Sequence, residues 1–84
     1  MPMMEEQEFN TADIYVPVKR RATLNPETVE ELAESILEEG QRTAIMVRED
    51  GKRYVLVEGL HRLEACKMLG EKTIRGLLVQ SRLH

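Results

Sequence analysis

The sequence predicts a compact single-domain α+β fold whose elements follow the order β-α-β-β-α-β, with a small mixed sheet and two helices. Three observations support this prediction: the length of 84 residues, two segments with the apolar spacing of helices, and a pair of β-prone runs around an Asp-Gly turn. We expect the folded domain to span residues 13–84. Residues 1–12 are rich in Met and Glu without periodicity and are predicted to form a flexible N-terminal tail.

The domain is predicted to begin with a short strand followed by a helix. Residues 14–16 form a β-prone run that Pro17 ends, and residues 18–23 are expected to form a loop or strand end. Asn25 is a suitable N-cap, a proline occupies the first helical position, and Gly40 is expected to end the helix. One apolar face follows the helical spacing: Val29, Leu32, Ala33, Ile36 and Leu37.

The second half is predicted to contain a hairpin, a second helix and a last strand. Residues 44–48 and 53–57 are two apolar, β-branched runs, and Asp-Gly between them is the expected tight-turn pair. Residues 60–69 are expected to form a helix that Gly70 closes, and residues 73–79 supply the final strand.

Composition narrows the class of protein. Hydrophobic residues make up 42% of the chain and charged residues 32%, without an apolar run long enough for a membrane span or signal peptide, so a cytoplasmic location is expected. The net charge of −3 divides unevenly: residues 1–39 hold ten acidic and three basic residues, whereas residues 40–84 hold five and nine. This balance argues against non-specific coating of nucleic acid but allows a local anion site in the second half.

The most informative local feature is the strand that ends at Gly59 and opens directly into a helix. Such a start presents unpaired backbone N–H groups at the positive end of the helix dipole, and His61 and Arg62 follow at once. The pattern predicts a site for phosphate or a similar anion, with Arg62 directed toward the buried side and requiring an anionic partner. The alternative is that His61 is merely exposed and that Arg62 pairs with Glu58 or Glu64 on the surface.

Other polar residues are weaker candidates for the same site. Thr28, Glu31 and Ser35 form one ridge of the first helix, so a hydroxyl could face the cleft, or Thr28 could serve the helix start and Ser35 face water. Arg20 or Arg21 could fold over the phosphates as a second clamp, or the basic run could simply solubilise its loop.

Metal and nucleophile sites are not predicted. Cys66, His61 and His84 have no paired metal-ligand spacing, and no Ser-His-Asp or Cys-His arrangement is present. Cys66 is the single cysteine, which fits a reducing compartment, and it lies on an apolar helix stripe where it is expected to be a core residue.

Over residues 14–80 the sequence resembles the ParB/sulfiredoxin-like superfamily, and in particular the ParB-like N-terminal (ParB-like nuclease) domains. Three segments carry the resemblance in order: LNPETVEELAESILEEG, TAIMVREDGKRYVLVEG and GLHRLEACKMLGEKTI, the last resembling the family's G-x-[HR]-R phosphate motif. The tail TIRGLLVQS is similar to the last strand of sulfiredoxins. The resemblance implies this fold and the binding of a nucleotide, CTP or ATP, with Mg²⁺.

The resemblance also implies roles for individual positions. Arg21 sits where the family keeps an arginine before the first helix, and Gly40 and Thr43 match a loop that reads G-x-x-Q-P in partition proteins, although Thr43 and Ala44 replace its Gln and Pro. The helix positions that face the nucleotide in sulfiredoxins are occupied in this chain by Thr28, Glu31 and Ser35. The predicted nucleotide-binding set is Gly59, Leu60, His61, Arg62, Arg20, Arg21, Thr28, Ser35, Gly40 and Thr43.

Differences between this sequence and the family's motifs distinguish among the activities found in the family. Sulfiredoxins need a catalytic cysteine directly after the glycine, where this chain has Leu60, while Cys66 lies nearly two turns away, so reductase activity is not expected. Partition ParB proteins read G-E-R-R, from which Leu60 and His61 both differ. The sequence shows no helix-turn-helix or dimerisation segment, so sequence-specific loading onto DNA is not expected of this chain alone.

Three hypotheses follow. The first is a nucleotide-binding accessory or regulatory module in plasmid or chromosome partitioning or DNA-linked regulation, with DNA or a DNA-binding protein as a further candidate partner. The second is an enzyme on the same fold, an NTPase, phosphotransferase or nuclease, with Glu30, Glu31 or Glu58 as base or metal ligand. The third is a protein-interaction domain with a vestigial pocket.

Overall fold

The computed structural model describes residues 5–41 and 43–79 and confirms the α+β class. A single 3₁₀ turn, Thr11–Asp13, joins the first two strands. The strands are β1 (Glu5–Asn10), β2 (Ile14–Tyr15), β3 (Ile45–Asp50), β4 (Arg53–Glu58) and β5 (Thr73–Val79). The helices are α1 (Val18–Arg21), α2 (Pro26–Glu39) and α3 (Leu60–Met68).

The five strands form one mixed sheet in the order β1-β5-β3-β4-β2. The β1–β5 and β3–β4 pairs are antiparallel, whereas β3–β5 and β2–β4 are parallel. Because Leu63 and Cys66 of α3 join a buried cluster with Ile45 and Val47 of β3, α3 packs directly on the sheet. A second cluster, Val29, Ala33 and Ala65, packs α2 against α3.

The N-terminal segment is a strand, so the prediction of a flexible tail is wrong for residues 5–12. Backbone pairing with β5 holds β1 in the sheet, and Phe9 is only 4% exposed. Gly76 makes room for the Phe9 ring, since a Cβ at Gly76 would lie 2.9 Å from it. Phe9 also meets Tyr54 edge to face, with 4.9 Å between ring centroids. Residues 1–4 of the predicted tail and residues 80–84 at the end of the predicted domain lie outside the described residues.

The helix ends of α2 follow the prediction. The Asn25 side chain accepts hydrogen bonds from the backbone N–H groups of Glu27 at 2.9 Å and Thr28 at 3.4 Å, which confirms the N-cap. Gly40 ends the helix with φ of 79°. Leu37 is 72% exposed, so its predicted place on the buried face is wrong, because it lies beyond the cluster that α2 forms with α3.

The basic run after Pro17 forms α1, not the loop or strand end predicted from sequence. The Pro17 carbonyl accepts hydrogen bonds from the N–H groups of Arg20 at 2.9 Å and Arg21 at 3.1 Å, which closes one helical turn. A single turn is too short to show helical periodicity in a sequence. None of the helices within the described residues is long and apolar enough to cross a membrane.

The predicted hairpin, second long helix and last strand are confirmed with small shifts. Asp50 still pairs with Arg53, so the hairpin turn is Gly51 and Lys52, not the expected Asp-Gly pair. Helix α3 ends at Met68, one residue earlier than predicted. These elements place the end of β4 and the start of α3 beside the first turns of α2.

Candidate functional site

A cleft of about 380 Å³ opens where β4 ends and α3 begins. The C-terminal part of α1 and the first two turns of α2 form its other walls. Six of the predicted nucleotide-binding residues line it, Arg20, Thr28, Gly59, Leu60, His61 and Arg62, together with the catalytic candidate Glu58 and with Thr23 and Leu32.

Gly59 is required by both its backbone conformation and its packing. It has φ of 107°, in the left-handed region that favours glycine. A Cβ at this position would lie 2.6 Å from Cγ2 of Ile45 and 2.9 Å from Cβ of Ile45. The atoms that would exclude a side chain therefore belong to β3. Close packing of the β4–α3 turn on the sheet explains this glycine.

The start of α3 lacks a side-chain cap. Gly59 occupies the N-cap position and makes no side-chain capping hydrogen bond, and the first turn holds no acidic residue. The Leu63 N–H donates to the Gly59 carbonyl at 2.9 Å, so the N–H groups of residues 60–62 precede the first intrahelical bond. Leu60 itself is 5% exposed and packs in the core, which anchors this end of the helix. The result is a fixed row of donors at the positive end of the dipole.

Arg62 is half-buried and lines the cleft. Within residues 5–41 and 43–79 it forms no ion pair, which removes the alternative of a surface pair with Glu58 or Glu64. Glu64 instead lies 3.9 Å from the ammonium of Lys67. The Arg62 guanidinium therefore remains available to an anion in the cleft.

Arg20, and not Arg21, is the member of the basic run that reaches the cleft. Its guanidinium donates a hydrogen bond to the Val57 carbonyl near the end of β4, and the Thr23 hydroxyl donates to the Arg20 carbonyl at 2.7 Å. Arg21 turns away, with Nε donating to the Val16 carbonyl at 3.2 Å. Two arginines from different elements thus flank the start of α3.

His61 contacts the segment that enters α2. The backbone N–H of Asn25 donates to Nε2 of His61 at 2.9 Å. This hydrogen bond joins the first turn of α3 to the residue that caps α2.

Other predicted positions lie away from the cleft lining. Ser35, Gly40 and Thr43 are not among its residues. The loop that carries Thr43 is held by Gln41, whose amide Nε2 donates to the Thr43 and Arg75 carbonyls, both at 3.0 Å. Their proposed contact with a nucleotide stays a prediction from family resemblance.

The three catalytic candidates are dispersed. Glu58 lines the cleft, Glu31 is exposed on α2, and Glu30 lies at a separate groove of about 400 Å³ between α2 and α3. The described residues contain no cluster of three or more His, Cys, Asp or Glu suited to a metal ion.

Two cleft residues were missing from the predicted site. Thr23 lies in the short connection before α2, and the sequence predicts Leu32 as part of the apolar helix face. For Thr23, the available sequence indication was its position just after a basic run and just before a helix cap. Nothing in the apolar pattern distinguishes Leu32 from the core positions around it.

Cys66 is buried, as predicted, and is not a cleft residue. Burial raises the pKa of its thiol, the charge of Glu71 raises it further, and the charge of Arg62 opposes the shift. A thiol in this environment keeps its proton and is a poor nucleophile.

The fold and the cleft together define a ParB/sulfiredoxin-like domain. The chain matches the ParB N-terminal domain family over residues 3–83 and belongs to that family. It is 35% identical over 63 residues to the probable chromosome-partitioning protein ParB of Helicobacter pylori, which covers 75% of this chain and 22% of that protein. The chain therefore spans about a fifth of the length of this curated relative.

Two solved structures show the same architecture. Sulfiredoxin from Arabidopsis thaliana matches with a TM-score of 0.82 and 32% identity, over 95% of this chain and 88% of that one. The C-terminally truncated chromosome-partitioning protein ParB from Caulobacter crescentus, complexed with CTP-gamma-S, matches with a TM-score of 0.76 and 27% identity, over 95% and 46% of the two chains. The family resemblance stated from the sequence is confirmed.

Proposed function

We propose that this chain is a nucleotide-binding module that holds the phosphates of CTP or ATP at the start of α3. The observation that carries the proposal is the coincidence, in one cleft, of an uncapped helix start and an Arg62 guanidinium without an ion-pair partner among the described residues. Backbone N–H groups and a guanidinium fork are the donors that phosphate oxygens accept best in proteins. Arg20 supplies a second permanent positive charge.

The comparisons with known proteins support nucleotide binding by this domain, which matches only part of the ParB relatives. The Caulobacter protein that matches over nearly the whole chain is complexed with CTP-gamma-S. A role as an accessory or regulatory part of plasmid or chromosome partitioning, or of DNA-linked regulation, is consistent with family membership. DNA or a DNA-binding protein is the partner such a module would act on.

Mg²⁺ is part of the proposal as a companion of the nucleotide. Magnesium keeps several waters and is commonly bound through substrate phosphates with few protein ligands. The absence of a ready-made acidic cluster among the described residues fits an ion held mainly by the triphosphate.

Titration calorimetry with CTP, ATP, GTP and UTP in the presence of Mg²⁺ tests the proposal. We expect CTP or ATP to bind, and Arg62→Gln to weaken that binding about tenfold or more, because a charge-assisted contact contributes roughly 1.5 to 3 kcal/mol. Lys67→Gln is the matched control, since it removes one positive charge from the last turn of the same helix outside the cleft. Its affinity should equal that of the wild type.

Two results would contradict nucleotide binding at this site. One is the absence of binding at millimolar concentrations of all four nucleotides, which would favour an interaction domain with a vestigial pocket. The other is unchanged affinity in Arg62→Gln, which would place any bound nucleotide elsewhere.

Turnover of the bound nucleotide is a second candidate function. Glu58 favours it, because it is the one catalytic candidate that lines the cleft and forms no ion pair within the described residues. Release of phosphate by the wild type and its loss in Glu58→Gln, with binding retained, would establish this enzyme function. Sulfiredoxin-type thiol chemistry is not proposed, since Leu60 occupies the cysteine position and Cys66 is buried.

A further inference from the structure

The hydrogen bond between Asn25 and His61 determines which protonation state His61 has in this structure. The Asn25 backbone N–H is a donor, and it lies 2.9 Å from Nε2 of the ring. A ring nitrogen that accepts a hydrogen bond carries no proton, so the proton of a neutral ring must reside on Nδ1. In a protonated ring both nitrogens are donors, and Nε2 would then face another N–H. The structure therefore holds His61 as a neutral acceptor.

The residue that His61 holds belongs to a wall of the cleft. Asn25 ends the connection from α1 to α2, and this connection also carries Thr23, which lines the cleft. Thr23 is joined to α1 by its hydroxyl contact with the Arg20 carbonyl, and Asn25 is joined to α2 by its cap. The hydrogen bond between Asn25 and His61 joins this connection to the start of α3.

The charges around His61 do not require it to be a cation. Among the cleft residues, α1 contributes Arg20, the end of β4 contributes Glu58, and α3 contributes Arg62. Helix α2 contributes Thr28 and Leu32, which do not titrate. Arginine stays charged at every pH at which proteins fold, so the phosphate site has positive charge without an imidazolium.

We propose that His61 is a positioning residue that works as a neutral hydrogen-bond acceptor, holding the Asn25 connection as a cleft wall, and is not a phosphate-binding cation. The effect on nucleotide affinity rests on the proposed function above. The tautomer of His61 and its contact with Asn25 do not rest on the proposed function, and both are measurable without any nucleotide.

The tautomer is tested first, in the full ¹⁵N-labelled chain without nucleotide, by long-range ¹H–¹⁵N correlation of the histidine rings at about pH 8. The chain has a second histidine, His84, so the His61 signals are assigned by their loss in His61→Gln. We expect protonated Nδ1 and unprotonated Nε2 at His61. A ring protonated on Nε2, or one that averages between the two tautomers, would overturn the proposal.

The functional part is tested with two variants of similar polarity. The Gln oxygen reaches the position of Nε2, whereas the shorter Asn ends near the position of Nδ1 and cannot reach the Asn25 N–H. We expect His61→Gln to bind CTP or ATP within about threefold of the wild type and His61→Asn about tenfold more weakly, the effect of one hydrogen bond. Equal affinities for the two variants would contradict the positioning role.

If the wild type binds no nucleotide, the proposed function fails while the tautomer result still decides the contact with Asn25.

Discussion

Helices α2 and α3 begin side by side but in opposite ways. At the start of α2, the Asn25 side chain accepts two backbone hydrogen bonds and Glu27 places a negative charge in the first turn. At the start of α3, Gly59 offers no side-chain cap, no acid occupies the first turn, and Arg62 adds a positive charge. The chain itself therefore supplies a hydrogen-bond acceptor for N–H groups at the start of α2. The start of α3 has no side-chain cap among the described residues, and its N–H groups lie at the positive end of the helix dipole.

The largest expected effect concerns the glycine that opens α3. Gly59→Ala should destabilise the fold by about 3 kcal/mol or more, because it adds a left-handed backbone penalty to a collision with Ile45. Urea unfolding gives the free energy of unfolding directly.

Gly51→Ala is the matched control for this prediction. Gly51 also has positive φ, at 65°, but a Cβ there would meet nothing within 4 Å. It should cost only about 1 kcal/mol, the backbone penalty alone. Equal losses in the two variants would show that packing against β3 does not explain the requirement for Gly59.

The cap of α2 gives the next largest effect. Asn25→Ala removes the acceptor of the Glu27 and Thr28 N–H groups and should lower the free energy of unfolding by about 1 kcal/mol. Asn25→Asp keeps the acceptor and should retain most of the stability. A loss as large in Asn25→Asp as in Asn25→Ala would show that capping is not the source of the effect.

The charges of the two first turns should have effects of opposite sign. Glu27→Gln removes a favourable interaction with the helix dipole and should destabilise the chain by about 0.5 kcal/mol. Arg62→Gln removes an unfavourable one and should stabilise the nucleotide-free protein by a similar amount, about 0.5 kcal/mol. Both changes should shrink in high salt. Unfolding curves in which Arg62→Gln is also less stable would mean that Arg62 has a stabilising partner.

The local rules that describe α2 and α3 explain how much of this molecule was predictable. Caps and apolar spacing act within a few residues, so Asn25, Gly40 and the extent of β5 followed from sequence. Strand β1 did not, because its one buried apolar side chain, Phe9, acquires its place only from Gly76 in a distant strand. Pairing over such a separation leaves no periodic pattern in six residues.

The cleft residues also divide into those that could be predicted from the sequence and those that could not. Four adjacent cleft residues, 59–62, were predictable because a strand, a glycine and a helix start are contiguous in the chain. Arg20 and Arg21 could not be separated until the structure showed which guanidinium reaches β4. Thr23 and Leu32 become cleft residues only through the packing of α2 beside α3. Gly59 lines the cleft, but its close packing against Ile45 of β3 could not be predicted from the sequence.

The smallest expected effect lies on the buried side of α3. Because burial raises the pKa of the Cys66 thiol, the folded chain keeps this proton at a pH where the unfolded chain loses it. The stabilising contribution is therefore complete below the ordinary thiol range, about pH 8.5, and is lost as the pH rises above it. Wild-type stability in urea should fall more steeply between about pH 8 and pH 10 than that of Cys66→Ala, which shares every other titrating group. Parallel pH profiles would show that the Cys66 thiol is as solvated in the folded chain as in the unfolded one, contrary to its place in the core.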